Sequence, residues 1–417
     1  MGRHLILVMR TRIATLLGVF FLASVPTCAS ADSWRITFKG SGKIVGETPV
    51  VTVLTTSLPP GNYRLQPRNS IPPLHAQVFN DQGKLYLATI LKPSRDGIDP
   101  VYALDAQPDL TSPPGVIEFR PSGSNLDVFA SGKILTTYRT DEPTKPYFYP
   151  LIGPTGAGFT RSYPIKTDIE GEDHDHPHHR SLWFTHGKVN GVDFWASDPN
   201  NKPGSNFGTI QESSRTIVAS GPAVGILRTT DKWLDPDGKI VCEDERVVRF
   251  YNTTDNRVLD FDITLKAVNG PILLGDTKEG TFGLRLASSM DVTKKTGGKI
   301  TNAEGINDDQ AWGKASSWVD YSGPLQGKTV GVAILNHPTS FRYPTTWHVR
   351  TYGLFAANPF GYHDFGLKES GDHTLPANQT LHFRYRLVLH KGDTLSAQIP
   401  DAFRNYATPP VCEIEKN

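Results

Sequence analysis

The sequence predicts an all-β protein: a large antiparallel β-sandwich preceded by a small N-terminal β module. Three observations lead there. Glycine and proline, 38 and 32 of them, are scattered along the whole chain and separate short runs, which is the punctuation of strands and turns. Within those runs apolar and polar residues alternate, and few windows follow the 3.6-residue helical period. A chain of 417 residues can bury a large core in one extensive β domain or in two domains.

The first residues, "MGRHLILVMRTRIATLLGVFFLASVPTCASADSW", place Arg3, Arg10 and Arg12 before an apolar run at 13–25 and the small-residue site Ala29-Ser30-Ala31. That pattern reads as a secretory signal peptide over 1–31, cut before Asp32. Val25-Pro26-Thr27 lacks the small residues that would make Cys28 a lipoprotein cysteine. The expectation is therefore a periplasmic or secreted protein. Cys242 and Cys412 are then the remaining thiols, and an oxidising compartment would permit a disulfide between them. Lys and Arg total 43 against 42 Asp and Glu, with no basic block, which argues against a nucleic-acid partner. No later run reaches the roughly 18 apolar residues of a membrane span.

Residues 32–115 carry "PVVTVLTTSLPPGNYRL" and "HAQVFNDQGKLYLATIL", the alternating runs of the N-terminal module, with a boundary at 115–120 near Pro113-Pro114 and Pro121. Residues 116–417 form the sandwich. "NLDVFASGKILTTYR" reads as a hairpin turning at Ser131-Gly132-Lys133. "RSLWFTH" is a strand, Val189-Asn190-Gly191 a tight turn and "VDFW" the next strand. "ERVVRFYNTTDN" pairs with "RVLDFDITLKAV" through 253–256; Leu259, Phe261, Ile263, Leu265 and Ala267 share one face, with Asp260, Asp262, Thr264 and Lys266 on the other. "TVGVAILNH" and "LHFRYRLVLHKGD" supply two late strands.

The chemistry concentrates in "EDHDHPHHRSLWFTHGKVNGVDFW", residues 172–195, which holds His174, His176, His178, His179 and His186. Pro164, Gly171 and Pro177 keep the chain irregular up to about His179, so the histidines sit on a loop feeding a rigid hairpin. Imidazole serves as a metal ligand or a proton carrier near neutral pH. A His-x-His pair could set two rings on one side of an extended segment, and Glu172, Asp173 and Asp175 could add oxygen ligands or orient the rings. His174, among acids, reads as loop surface; His176, His178 and His179 are the candidates for chemistry. No well-defined metal spacing is met, so the sequence names neither a metal nor a cofactor. Arg180 could grip a carboxylate or sulfate or form an ion pair. Trp183, Phe184, Phe194 and Trp195 could stack on a sugar ring or fill the core.

Two further clusters are dense in functional side chains. "GDTKEGTFGLRLA" gathers Asp276, Lys278, Glu279 and Arg285. Glu279 is its best general base or else a salt-bridge partner of Lys278 or Arg285. "WHVRTYGLFAANPFGYHDF" puts His348 and Arg350 on one strand face opposite Trp347 and Val349, before a turn at Asn358-Pro359-Phe360-Gly361. No nucleophile elbow, phosphate loop or dinucleotide fingerprint occurs.

"YFYPLIGPTGAGFTRSYP", "DHPHHRSLWFTHGKVNGVDFW", "GDTKEGTFGLRLA", "WGKASSWVDYSG" and "WHVRTYGLFAANPFG", five motifs in order over roughly 146–393, resemble the secreted bacterial family DUF6807, often labelled "methane oxygenase PmoA". The resemblance implies a carbohydrate context, because members are encoded beside polysaccharide-degrading enzymes. "LPANQTLHFRYRLVLHKGD" and the loop histidines ahead of a tryptophan strand are also similar to galactose-mutarotase-like supersandwich proteins. That similarity implies His178 or His179 as an acid and Glu279 as a base, while the superfamily's late glutamate has no clear match here. The expected protein is thus a secreted carbohydrate-active enzyme, a hydrolase, lyase or epimerase. His176, His178, His179, Glu279 and His348 would be catalytic, and Arg180, Trp183, His186, Trp195, Lys278, Arg285, Arg350 and Asn358 would bind the carbohydrate. A metal-dependent oxygenase with the histidines as ligands, or a non-catalytic glycan-binding protein, are the alternatives.

Overall fold

Alternation decides which face each strand buries, and the consequences are visible in a computed structural model describing residues 1–2, 33–67, 72–94, 97–105, 115–142, 144–202 and 204–416. The segment 1–31 expected to be a signal peptide lies outside the described residues, apart from Met1 and Gly2. On the strand Arg257–Lys266, Leu259, Phe261, Ile263 and Leu265 enter the core as expected, as does Ala267 just beyond it. Its other face is covered as well. Asp260 is buried against Arg386, at 2.6 and 2.8 Å, and against Tyr251 at 2.8 Å. Asp262 pairs with Arg249 and Arg384. Carboxylates tolerate such burial because charged hydrogen-bond partners replace the water they lose.

Two eight-stranded sheets make the sandwich. One runs, edge to edge, Trp347–Val349, Leu354–Ala357, Gly280–Arg285, Leu182–His186, Tyr147–Phe148, Lys133–Arg139, Asn125–Ala130 and Ile117–Ser122. The other runs Thr209–Ala219, Val224–Leu234, Ile240–Tyr251, Arg257–Lys266, Thr380–Lys391, Lys328–Asn336, Trp318–Leu325 and Lys299–Asn302. One continuous apolar core holds Phe148, Leu182, Phe184, Phe282, Phe355 and Trp347 from the first sheet, with Phe250, Phe261, Val332 and Leu387 from the second. The predicted hairpin turn at Ser131-Gly132 has φ of 50° and 75°, the left-handed geometry that matches strand twist. The helix Ile399–Ala407 packs Ile399 and Tyr406 on the outer face of the second sheet, against Trp318, Leu335 and Val388.

Residues 33–105 build most of a seven-stranded sheet, completed by the C-terminal strand Val411–Lys416 pairing with Ser33–Lys39. Phe79 and Ala88 of this sheet pack against Ala219, Val224 and Val247 of the sandwich, and Asp81 pairs with Arg228 at 2.7 Å.

One possibility left open is closed and one expectation is corrected. Cys242 and Cys412 are both free thiols: Cys242 is sealed in the sandwich core, whereas Cys412 packs on the core of the seven-stranded sheet. "VDFW" is not a strand. Val192 bridges back to Val189, and then the Asp193 carboxylate accepts from the N–H groups of Trp195 and Ala196, at 2.8 and 3.0 Å, and coils the chain. Among the described residues no helix is long and apolar enough to cross a membrane.

Candidate active site

The first sheet has an inner face in the core and an outer face, and its register lines up one outer row across five strands: Tyr147, Trp183, Gly283, Ala356 and His348. The histidine loop folds over this row. Arg161, fully buried, pegs the loop down by donating to the carbonyls of Tyr163, Asp173, Asp175 and His176 and to the Asp175 carboxylate. Glu172 caps the N–H groups of Ser162 and Tyr163, and Asp173 pairs with Lys294 at 2.8 Å.

The rings then stack in series. Tyr352 lies on one face of His176, with centroids 5.5 Å apart and planes within 8°, and His179 lies on the other, at 4.7 Å and 3°. His179 rests in turn on Trp183 at 5.4 Å. His178 sets its edge toward His179 at 4.6 Å, and Trp195 meets Trp183 edge-on at 5.2 Å. Lys145, buried beneath, donates to the carbonyls of Phe194, Trp195 and Ser197 and holds the Trp195 segment in place. Burial, then the nearby Arg180, brings its ammonium down to about 7.

Partners assign the two stacked imidazoles opposite roles. Asp175 accepts from Nδ1 of His176 at 2.8 Å, so the neutral ring keeps a lone pair on Nε2. Arg285 donates to Nδ1 of His179 at 3.2 Å; a guanidinium cannot accept, so His179 carries its proton on Nε2. Asp175 also receives Arg285 at 2.8 Å and Arg161. Burial raises its carboxyl, but Arg285, the His176 hydrogen bond and Arg161 outweigh that and bring it to about 2.

The expected acid role of His178 or His179 needs a protonated ring, and the surroundings oppose one. Burial, then Lys145 and His176, push His178 down to about 3. Burial, then His178 and Arg285, hold His179 far below the ordinary histidine range. These surroundings favour the neutral form of both rings. His176 is the histidine of this cluster whose side chain is 41% exposed and backed by a carboxylate.

The remaining expected residues divide. His348 is on the outer face as predicted, its Nδ1 donating to the Lys278 carbonyl at 2.7 Å; burial lowers it to about 4. Arg350 lies beside it, over the rings of Trp312 and Tyr352. Glu279 is part-exposed and pairs with Lys278 at 3.1 Å, the salt bridge the sequence offered as one of two readings; it and Asp175 both act on the Tyr352 phenol. Arg285 is buried and engaged with Asp175 and His179, so it orients the site from below rather than touching a ligand.

Five expected contacts are corrected. Arg180 is buried and already paired with Glu142 and Asp198, which leaves no edge for a substrate anion. Trp183 and Trp195, 2% and 1% exposed, form the floor under His179 instead of an open stacking surface. His186 shares the parity of Leu182 and Phe184, faces the opposite side from Trp183, and bonds the Gly275 carbonyl at 2.9 Å. Asn358 is fully buried and pegs the neighbouring turn through the carbonyls of Thr277 and Lys278.

Sequence reasoning gave Asp175 only a supporting place and missed Arg161, Tyr352 and Trp312 altogether, although all four stand inside the quoted motifs. Tyr352 follows Arg350 by two positions beyond the end of Trp347–Val349, where strand parity no longer points the way. For the oxygenase alternative the rings are stacked rather than convergent, and among the described residues no three His, Cys, Asp or Glu side chains are placed to hold one ion. A separate cleft of about 1180 Å³ is lined by Tyr149, Thr160, Glu172, Ser288 and Lys294 among others; none of the residues expected to be catalytic or to bind the carbohydrate lines it.

No curated protein matches the chain. Among solved structures it is similar to a protein in the glycosyl hydrolase family 38 from Enterococcus faecalis, at 10% identity and a TM-score of 0.40, over 93% of this chain and 47% of that one. The chain thus spans about half the length of that relative. The family model described as "Family of unknown function (DUF6807)" matches residues 125–404, taking in the histidine loop, the outer row and the closing strands. The chain belongs to the DUF6807 family.

Proposed function

We propose that the chain is a secreted carbohydrate-active enzyme, a hydrolase, lyase or epimerase, in which Asp175 and His176 form the proton-transferring pair. One observation carries this reading. A carboxylate pinned by two buried arginines holds Nδ1 of an exposed imidazole at 2.8 Å and leaves Nε2 open on an aromatic surface. In such a dyad the carboxylate fixes the tautomer and stabilises the imidazolium formed when Nε2 takes a proton. The Tyr352 phenol, raised above its ordinary value mainly by burial, stays protonated as a donor. His179 presents Nε2–H behind His176, and Glu279 adds a second carboxylate that acts on the Tyr352 phenol.

The test is turnover. The purified protein is incubated with plant and algal polysaccharides and their oligosaccharides, and products or epimers are read by mass spectrometry and NMR. His176→Gln and Asp175→Asn should each lower the rate about 10²–10⁴-fold with binding retained, while His174→Gln, whose ring only stacks on Tyr163, should not. Turnover indifferent to His176 would refute the role of the Asp175–His176 pair, and glycan binding with no turnover would return the protein to the glycan-binding reading.

A further inference from the structure

Most cations around the dyad are spoken for. Arg161 and Arg285 hold Asp175, Arg180 holds Glu142 and Asp198, Lys294 holds Asp173, and Lys278 holds Glu279. Arg350 differs. Among the described residues its guanidinium makes no ion pair and no hydrogen bond, and it lies 5.3 Å from the ring centre of Trp312 and 5.7 Å from that of Tyr352. Its backbone is tied by bonds to Leu354 and from Gly353, at 2.7 and 3.1 Å. The side chain is half-buried, one ring away from His176.

A guanidinium flanked by two aromatic faces is attracted to both and has lost much of its rotamer freedom. Its N–H edge is the part left to bind, and that planar fork matches a carboxylate through two parallel hydrogen bonds.

We infer that Arg350 is a specificity residue that receives the carboxylate of a uronate unit, so that the glycan bound at the dyad is an acidic one. This rests on the acid–base reading of Asp175 and His176 and narrows its substrate class.

The experiment compares binding by calorimetry of oligogalacturonate, oligoglucuronate and oligomannuronate, each beside its carboxyl-reduced counterpart, and of a sulfated galactan. Wild-type protein should bind at least one acidic oligomer about 10–100-fold more tightly than its reduced form, the worth of a charge-assisted pair. Arg350→Met, which keeps an apolar chain between the rings, should lose that preference, and Arg350→Lys should keep part of it. Equal binding of acidic and reduced forms by the wild type overturns the inference, as does binding of none of the acidic oligomers or an undiminished preference in Arg350→Met. Preference for the sulfated galactan alone overturns the carboxylate assignment. The wild-type comparison needs no variant to fold. An acid preference that persists in His176→Gln without any wild-type turnover refutes only the catalytic reading, whereas His176-dependent turnover with no acid preference refutes only the role of Arg350.

Discussion

Replacing Gly283 with alanine should unseat the aromatic stack from below. Gly283 stands beside Trp183 in the outer row, and a Cβ at this position would fall 2.7 Å from both Cε2 and Cζ2 of the indole and 3.2 Å from Nε1. Carbon atoms pack favourably at about 3.5–4.0 Å, so the ring would have to withdraw by about 0.8 Å. It has little room: Trp183 is 2% exposed, with His179 over one face at 5.4 Å and Trp195 at 5.2 Å. The backbone of Gly283 is not in the left-handed region, so the penalty is steric. Overpacking of this kind costs about 1–3 kcal/mol. Urea denaturation should show a lower midpoint at an unchanged slope, and the near-UV circular dichroism of the Trp183 and Trp195 pair should weaken. Trp183→Leu frees the space, so the double variant should be more stable than the two single losses predict, by about the same 1–3 kcal/mol. Gly283→Ala within about 0.5 kcal/mol of wild type and with an unaltered near-UV spectrum would refute the packing argument.

Asp291 is fully buried with neither carboxylate oxygen hydrogen-bonded; burial pushes it up to about 7, with Arg285 pulling the other way. Its folded value lies above the unfolded one near 3.8, so the folded state holds a proton the unfolded chain has released. Its contribution to stability is complete below about 4 and is lost as pH rises through 7; melting temperature against pH should therefore fall less steeply over that window in Asp291→Asn than in wild type. Asp320 and His390 are both fully buried and 2.8 Å apart, with Thr394 also donating to Asp320 at 2.6 Å. Asp320→Asn should cost about 3–5 kcal/mol by stranding a buried partner, and NMR should show the His390 value, now raised by that carboxylate, dropping. Thiol titration of unreduced protein in denaturant should detect both Cys242 and Cys412. In the native state Cys242 should not react and Cys412, pushed up to about 12 mainly by burial, should react slowly.

Much of the strand layout was legible because alternation is a local signal. Leu259 through Ala267 declared their inward face, and the turn at Ser131-Gly132 announced its hairpin. The opposite placement of Trp183 and His186 was readable by the same rule, since residues three apart on a strand have opposite parity. What alternation did not reveal is coverage. Asp260 and Asp262 looked solvent-facing until Arg249, Arg384 and Arg386 were brought onto them. Arg180 looked available until Glu142 and Asp198 claimed it.

The sequence by itself determined an all-β chain, a histidine loop running into the strand Leu182–His186, and the motifs that carry its family. It could not say what each histidine does, because an imidazole's proton sits where its partner leaves it. Asp175 is adjacent to His176 in sequence, yet the arginines that hold Asp175 and His179 come from elsewhere, Arg285 standing 110 and 106 positions away. Only the tertiary structure put those charges within hydrogen-bond reach, and with them decided that His176 keeps an open lone pair while His179 presents a proton.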